Sequence, residues 1–338
     1  VIIIREIIVE HFDSGGRLNK FLQKYLDKGS QSFIYKMLRK KNIVLNNSKA
    51  TGSEILNSGD IIKLFLSEET ISKFKTPKLE TESIIKKIKN VDVLDIIYED
   101  ENILIVNKGK DKLSHPNNEK KESLIDDILY YLNNKNTVFK PALVNRLDRN
   151  TTGIVICGKN LKSVQSLNKA IHDKTLDKYY IAIVCGNLRQ KGVLNNFYEK
   201  DTKNNKIKIF KNSEQFIINN ENIGLKNSKS EIITEYEPLE VYKNFTLVRL
   251  KLITGKSHQL RAHMSSIGHP ILGDFKYGDS YYNNFVKQKF NITSQLLHSN
   301  FVHFKNLTEP LKYINNKNFE SEIPNDFKKI FKRGVCLI

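Results

Sequence analysis

Residues Pro141 to Gly158, PALVNRLDRNTTGIVICG, constrain the fold more than any other stretch. An apolar run, Ala142-Leu143-Val144, enters a dense polar knot, Asn145 to Thr152. Gly153 then releases the chain into a second apolar run, Ile154 to Cys157. Two buried-strand patterns around so polar a loop predict a loop held rigidly on a sheet. Within it one carboxylate, Asp148, stands between two guanidinium groups, Arg146 and Arg149. Nearby cations favour the ionised form, so Asp148 is expected to be a carboxylate at neutral pH. A fixed, ionised carboxylate can act as nucleophile or base, and the flanking arginines can hold phosphates. An aspartate in a turn more often caps backbone N–H groups or pairs with a neighbour, so this stretch alone does not assign catalysis.

The charge balance narrows the partner. Lys plus Arg number 55 against 37 Asp plus Glu, a net charge of +18 over 338 residues. Such an excess points to a polyanion, nucleic acid ahead of an acidic membrane surface. Drift toward Lys, Asn and Ile would raise Glu along with Lys, and Glu has not kept pace. The length suits one large domain and one small one. Cys157, Cys185 and Cys336 lie far apart with no C-x-x-C pair. That argues against a disulfide scaffold or zinc cluster and suits a reducing, cytoplasmic setting. No apolar run approaches the ~18 residues of a membrane span. The opening Val1 to Ile4 is too short for a signal peptide, and no membrane partner is expected.

Along the chain, residues 1–10 read as a short strand. Leu18, Phe21, Leu22, Tyr25 and Leu26 then recur at helical spacing. Gly29 ends that helix, and Ser30 or Ser32 can cap a second one through Phe33, Ile34, Met37 and Leu38. Between Arg17 and Lys41 stand eight basic residues and one acid, Asp27. Strand patterns follow at Ile43 to Leu45 and, after Gly59-Asp60, at Ile61 to Phe65. Two short basic helices, small strands and a Gly-Asp turn before the last strand resemble the S4 (αL-like) RNA-binding domain, over residues 11–70. That resemblance implies RNA contacts from Arg17, Lys20, Lys36, Arg39 and Lys40; a basic helix is otherwise a solvated face. Residues 71–90 read as a charged linker from which the small domain hangs, with a short helix at Ile84 to Ile88. A large domain follows over 91–330.

Two further constellations lie in that large domain. Lys178-Tyr179-Tyr180 opens a strand that becomes apolar through Cys185. The Tyr180 ring can stack on a base and its hydroxyl can relay a proton, although tyrosines at strand starts mostly pack. Farther on, a strand ends in Thr254-Gly255 and a helix begins near Ser257 or His258. Leu260, His263 and Met264 share one face of it, Arg261 points elsewhere, and the helix N-terminus is a ready anion site. The spacing of His258 and His263 does not put both on one face, and no zinc pattern is present, so no metal is expected. The Asn/Lys-rich residues 187–230 predict surface hairpins or a mobile insertion.

Taken in order, these blocks resemble the RluA-type pseudouridine synthases. Asn145 to Gly153 matches the family's H-R-L-D-x-x-T-S-G, with Asn145 for His and Thr152 for Ser. Lys178-Tyr179-Tyr180-Ile181-Ala182 matches K-x-Y-x-A. Thr254 to His263 matches T-G-R-x-H-Q-I-R-x-H, with Lys256 for Arg, a poorer bidentate phosphate clamp. Gly268-His269-Pro270-Ile271-Leu272-Gly273-Asp274, Tyr277-Gly278 and Leu296-Leu297-His298-Ser299 continue the similarity, which runs from about residue 11 to about residue 330. His115-Pro116 is kept, but Lys108-Gly109-Lys110 lacks the proline of the family's K-P-x-G, which predicts a looser loop there.

The resemblance implies an α+β fold: a large mixed, mostly antiparallel central sheet plus the small S4-like domain. It implies conversion of selected RNA uridines to pseudouridine, with no cofactor or metal. Asp148 would do the chemistry, Arg261 would pair with it, and Tyr180 would stack on the uracil. Arg146 would fill the space that a flipped uridine vacates. Leu147, Arg149, Thr151, Gly153, Lys178, Thr254, Gly255, Lys256, His258 and Gln259 would line the substrate site. The implied partner is ribosomal RNA, large-subunit RNA ahead of tRNA, or a pre-ribosomal particle, met by a monomer. A pure binding protein, such as an RNA chaperone or assembly factor, would share the basic surface without needing Asp148, Tyr180 and Arg261. A nuclease would call for a metal-holding carboxylate cluster, which the sequence lacks.

Overall fold

The structure, a computed structural model, describes residues 3–76, 94–116, 122–132, 138–201, 206–210 and 231–331. Cys336, the helix expected at Ile84 to Ile88 and residues 211–230 lie outside them.

The N-terminal unit is built on four strands: β1 (Ile3–Ile8), β2 (Ile43–Leu45), β3 (Ser48–Lys49) and β4 (Ile61–Leu66). Their order is β1-β4-β2-β3, with every pairing antiparallel. Helices α1 (Leu18–Tyr25) and α2 (Gln31–Arg39) bury Leu18, Leu22, Ile34 and Leu38 against the sheet. The α2 cap is Ser30, whose hydroxyl accepts from the Phe33 N–H at 3.2 Å. Residues 71–74, expected to begin a linker, instead end a third helix, α3 (Glu68–Phe74), capped by Ser67. It buries Ile71 and stacks Phe74 on Phe33, ring centroids 4.1 Å apart. An apolar residue at each end of this segment makes it part of the small core.

The small unit does not merely hang from a linker; it is seated on the large one. The buried Asp13 carboxylate accepts backbone N–H groups from Val138, at 3.0 Å, and from Phe139. Lys24 lies over the Phe139 ring.

The large unit contains strands β5 (Ile96–Glu99), β6 (Ile103–Lys108), β7 (Ala142–Leu143), β8 (Thr152–Gly158), β9 (Leu176–Cys185), β10 (Gly192–Asp201), β11 (Lys206–Phe210), β12 (Glu231–Val241), β13 (Phe245–Leu252), β14 (Leu297–Phe304) and β15 (Asn318–Glu320). They form one 11-stranded sheet ordered β11-β10-β12-β13-β9-β14-β8-β6-β5, with β7 on β8 and β15 on β14. Its pairings are antiparallel except β8 with β14. The stretch expected to hold surface hairpins or a mobile insertion thus supplies β10 and β11, which close one edge of the sheet.

Side-chain alternation gives the sheet two buried faces. Along β9, Tyr180, Ala182 and Val184 face one core, and Ile181, Ile183 and Cys185 the other. The first face is covered by α4 (Leu124–Tyr131) and α6 (Gln259–Ser266). The opposite face is covered by α5 (Leu161–His172), α7 (Ser280–Phe290) and α8 (Asn325–Phe331). The loop carrying Asp148 joins β7 to β8 at the first face. At the parallel pairing Gly153 takes φ +109°, and a Cβ there would lie 2.2 Å from the Ser299 carbonyl oxygen. Only glycine lets the loop enter β8 that close to β14. No helix among the described residues is long and apolar enough to cross a membrane.

Candidate active site

The loop around Asp148 is fixed from several sides. The Leu147 side chain is buried in the core; its N–H donates to Ser114 Oγ, whose hydroxyl donates to the Leu147 carbonyl. Asn145, where the family pattern has His, spans the loop base: Nδ2 donates to the Ile154 carbonyl and Oδ1 accepts from the Ile156 N–H. Thr152 Oγ1 pairs with His298 Nδ1 at 2.8 Å, and buried Thr151 accepts from Gln295.

The adjoining loop, expected to be loose for want of a proline, is pinned by Lys108. This ammonium is buried and donates at 2.9 Å to three carbonyls, those of Gly109, Lys112 and Arg149. Three N–H bonds from one side chain replace the stiffness a proline would give. Burial pushes the Lys108 amine down to about 8, against the pull of Asp148 and Asp111. A neutral amine has two N–H groups and cannot serve three carbonyls. Turnover is therefore expected to fall as pH rises through about 8, because the Arg149 carbonyl belongs to the loop that holds Asp148. Lys108→Met should lower turnover ~10–100-fold by loosening that loop and should remove the alkaline limb. A pH–rate profile of both proteins checks this; a wild-type rate flat from about pH 7 to about pH 9 contradicts it.

Opposite the loop, α6 presents Arg261. Its Nη1 donates to Asp148 Oδ2 at 2.9 Å, and Nε and Nη2 clamp Asp274 at 2.7 and 2.8 Å. Burial alone would push the Asp274 carboxyl up, but Arg261 and the N–H groups of Lys276 and Tyr277 outweigh it and hold it below its usual range. Burial would lower Arg261, and the two carboxylates reverse that, keeping the guanidinium charged. Side-chain exposure runs from 0% at Asp274 through 9% at Arg261 to 26% at Asp148. Asp148 is thus the carboxylate of the three-residue chain that an incoming molecule can touch.

His258 caps α6 in the left-handed conformation, φ +58°. Its Nε2 lies 3.9 Å from Asp148 Oδ2, and its Nδ1 pairs with the Tyr277 hydroxyl at 3.1 Å. Burial pushes the imidazole down, so it is mostly neutral at neutral pH. Tyr277 also lies under the Arg261 guanidinium, 5.2 Å from ring centroid to Cζ. Tyr180, on β9, is nearly buried in the core that includes Leu147. Burial, with the charge of Asp148 adding to it, pushes its phenol up to about 12, which keeps the hydroxyl a donor. Lys178 lies two residues earlier on the same face, buried, its amine pushed down by burial. The Gly255 backbone passes over it, and a Cβ there would lie 3.7 Å from the Lys178 Nζ.

The structure thus brings Arg261 and His258 to Asp148, with Tyr180 in the core close enough for the Asp148 charge to act on its phenol. Other candidates are used internally. The Gln259 side chain accepts from Thr254 and the Lys256 N–H and donates to the Ile233 carbonyl, tying the turn before α6. Gly153 lies against β14. Gly255 and Lys256 are exposed in the turn before α6 and Arg146 is exposed on the Asp148 loop, while Arg149 reaches Asp111. Arg17, Lys20, Lys36, Arg39 and Lys40 are exposed on the small unit. Sequence reasoning missed Lys108, Asp274 and Tyr277 as site residues. Asp274 carried a signal: a cation aimed into a core needs a buried counter-ion, and Gly273-Asp274 stood in the quoted block. Among the described residues no group of three or more His, Cys, Asp or Glu is placed to hold a metal ion. His263 pairs with Thr234 in the core, where burial pushes it down to about 4.

Comparison with known proteins adds the lineage. A family model described as RNA pseudouridylate synthase matches residues 102–266. The chain is similar to a ribosomal large subunit pseudouridine synthase C of Rickettsia bellii, 31% identical over 332 residues, covering 96% of this chain and 100% of the relative. It is also similar to a ribosomal large subunit pseudouridine synthase D of Borreliella burgdorferi, 29% identical over 264 residues, covering 76% and 75%. Among solved structures, human RNA pseudouridylate synthase domain containing 4 shares the fold, with a TM-score of 0.53 and 22% identity over 70% of this chain and 92% of that one.

Proposed function

The chain belongs to the RNA pseudouridylate synthase family and is an isomerase of uridine in RNA, and from that premise we propose that its substrate is large-subunit ribosomal RNA and that Asp148 carries the chemistry. The rRNA reading is supported by the names of the relatives, both of them ribosomal large subunit enzymes. The Asp148 reading is supported above all by one observation: on a rigid loop, this carboxylate is held by a buried guanidinium yet stays accessible.

In the reaction the N1–C1′ bond of uridine breaks, the uracil turns, and C5 bonds to C1′. The C5 proton leaves and N1 takes up a proton, so substrate and product are isomers. No redox partner or group carrier enters that balance, and we propose that none is used. Asp148 either attacks C1′ or removes the C2′ proton; both need an ionised carboxylate of fixed orientation, which Arg261 supplies. Tyr180 walls the uracil, and its phenol can relay the proton from C5, its oxygen accepting that proton as its own O–H proton passes to the Asp148 carboxylate. Arg146, exposed on the Asp148 loop, takes the space of the flipped nucleotide. The small unit, with its exposed Arg17, Lys20, Lys36, Arg39 and Lys40, acts as an S4-type RNA-binding domain whose phosphate contacts make binding salt-dependent.

The test is carbodiimide-blocked primer extension on ribosomal RNA from cells with the gene intact and deleted. Stops lost on deletion and regained on complementation support rRNA as substrate. Unchanged rRNA with stops lost from tRNA moves the substrate to tRNA. Unchanged rRNA and tRNA, with RNA binding intact, favour an assembly factor on the same fold.

A further inference from the structure

β7 and β8 form an antiparallel hairpin, Ala142 against Gly158 and Leu143 against Cys157, and its tip is the loop that carries Asp148. The two legs of this hairpin are unequal. β8 lies inside the sheet, paired with β6 from Gly153 to Gly158 and with β14 at Thr152 and Gly153. β7 has two half-buried residues and pairs with β8 alone. A strand so short frays from its free end unless that end is tied down.

The small unit ties it down. Val138 and Phe139, which lead into β7, give their N–H groups to the Asp13 carboxylate. Val138 packs against the core of the small unit, and the buried Phe139 ring lies 5.1 Å from Lys24 Nζ. The small unit has a second foothold, on the firm leg. Its Gly15 and Gly16 lie against Lys162 and Leu161, which open α5 just past β8. A Cβ on Gly15 would stand 2.6 Å from Lys162 Cε, and one on Gly16 2.9 Å from Leu161 Cδ2. The Gly15-Gly16 turn is itself anchored in the small unit. Gly15 donates to the Leu56 carbonyl at 2.8 Å, the Leu56 N–H donates to the Gly16 carbonyl at 2.9 Å, and Leu56 is wholly buried in the small core. The small unit thus bridges the firm leg to the weak one, at the end of the hairpin opposite Asp148.

We propose that the small unit braces the catalytic loop: by bridging the legs of the β7–β8 hairpin it holds Asp148 against Arg261, and Asp13 is the positioning residue that closes the bridge. The proposal goes beyond RNA binding by the small unit and rests on the reading of Asp148 as the reacting carboxylate. With the bridge open, Arg261 stays clamped on Asp274 while Asp148 drifts from it. A shift of ~1 Å at a reacting group costs up to ~100-fold in rate. Ser114 and Lys108 still hold the loop from other sides, so the loss here is smaller. A unit that served only as an RNA arm would change KM and leave kcat alone.

The experiment compares the full-length wild type with Asp13→Ala and with a wedge, Gly16→Leu. Gly16, unlike Gly15, is outside the left-handed region, so its backbone accepts the leucine and the strain falls on the seam. Tritium release from a large-subunit rRNA transcript carrying 5-tritiated uridine gives kcat and KM. Amide exchange read by mass spectrometry gives the opening of residues 142–152, with α2 and β13 as internal references. Each variant should lower kcat ~10-fold, keep KM within ~3-fold, and speed exchange of 142–152 ~10-fold with the references unchanged. Adding Leu161→Ala to Gly16→Leu makes room for the wedge and should recover most of both losses. Unchanged kcat and loop exchange, a raised KM with unchanged kcat, or a wedge that Leu161→Ala does not relieve overturns the proposal. If Asp13→Ala loses protection throughout the chain, the wedge and its relief decide; general loss in the wedge as well overturns the proposal, because the seam would then hold the fold and not the loop. If the wild type releases no tritium from any RNA, the isomerase reading fails separately, and the exchange comparison decides the brace.

Discussion

Asp148→Asn is expected to abolish pseudouridine formation, by at least ~10³-fold, while leaving fold and RNA affinity nearly intact. The amide keeps the shape of the side chain but removes the charge that attacks C1′ or accepts the C2′ proton. The ion-pair geometry explains why the fold survives. Arg261 makes three contacts, and only the one from Nη1 goes to Asp148; the clamp from Nε and Nη2 on Asp274 remains. The lost contact reaches a partly exposed carboxylate and is worth about 1 kcal/mol. No phosphate contact is removed, so RNA affinity should stay within ~3-fold. Tritium release from [5-3H]uridine-labelled RNA measures turnover, and a filter-binding titration measures affinity. Turnover within tenfold of wild type would remove Asp148 from the chemistry. Loss of binding alongside turnover would make it a structural residue of the cleft.

What the sequence made legible was local. The apolar runs flanking Asn145 to Thr152 forecast a loop braced on strands, and the structure puts it between β7 and β8. The helical spacing of Leu260 and Met264 left Arg261 pointing off their face, and there it meets Asp148, 113 residues away in the chain. What stayed hidden depends on distant segments closing together. Lys108 ends an apolar strand and reads as a solvated cation; its burial arises only because the carbonyl of Arg149, 41 residues on, folds over it. Asn145 read as a departure from pattern, yet an amide carries a donor and an acceptor and so spans both Ile154 and Ile156. Residues 192–210 lack a strong apolar period because β11 is an edge strand, and its tie to the site runs through one backbone N–H at Tyr277. The seating of the small unit through Asp13 could not be read either, since its partners are backbone N–H groups 125 and 126 residues away.

Asp274→Asn separates holding the site from reacting in it. The substitution places an amide where Arg261 Nε and Nη2 now meet two carboxylate oxygens, and one of its ends turns a donor toward donors. The guanidinium stays buried with Asp148 as its remaining counter-ion. Breaking one side of a buried, hydrogen-bonded ion pair costs ~3–5 kcal/mol, because the surviving charge is left without compensation. In a unit of this size that lowers Tm by on the order of 10 °C. Turnover should fall as well, because the amide oxygen can still serve the Lys276 and Tyr277 N–H groups and Arg261 Nη2 but the amide N–H₂ faces Arg261 Nε, so the guanidinium that orients Asp148 is no longer held at both ends. Calorimetry and tritium release on the same samples therefore tell the two apart: Asp148→Asn loses rate at nearly constant Tm, and Asp274→Asn loses both. The pH dependence supplies a sign. The folded carboxyl of Asp274 is held below the ~3.9 of an unfolded Asp, so its contribution to stability is present above that pH and is lost as pH falls through the folded value. The Tm gap between wild type and Asp274→Asn should thus be widest near neutrality and close in acid. A variant with wild-type Tm at neutral pH would mean that Arg261 is held by Asp148 and packing alone, and that the buried carboxylate is not the anchor of the site.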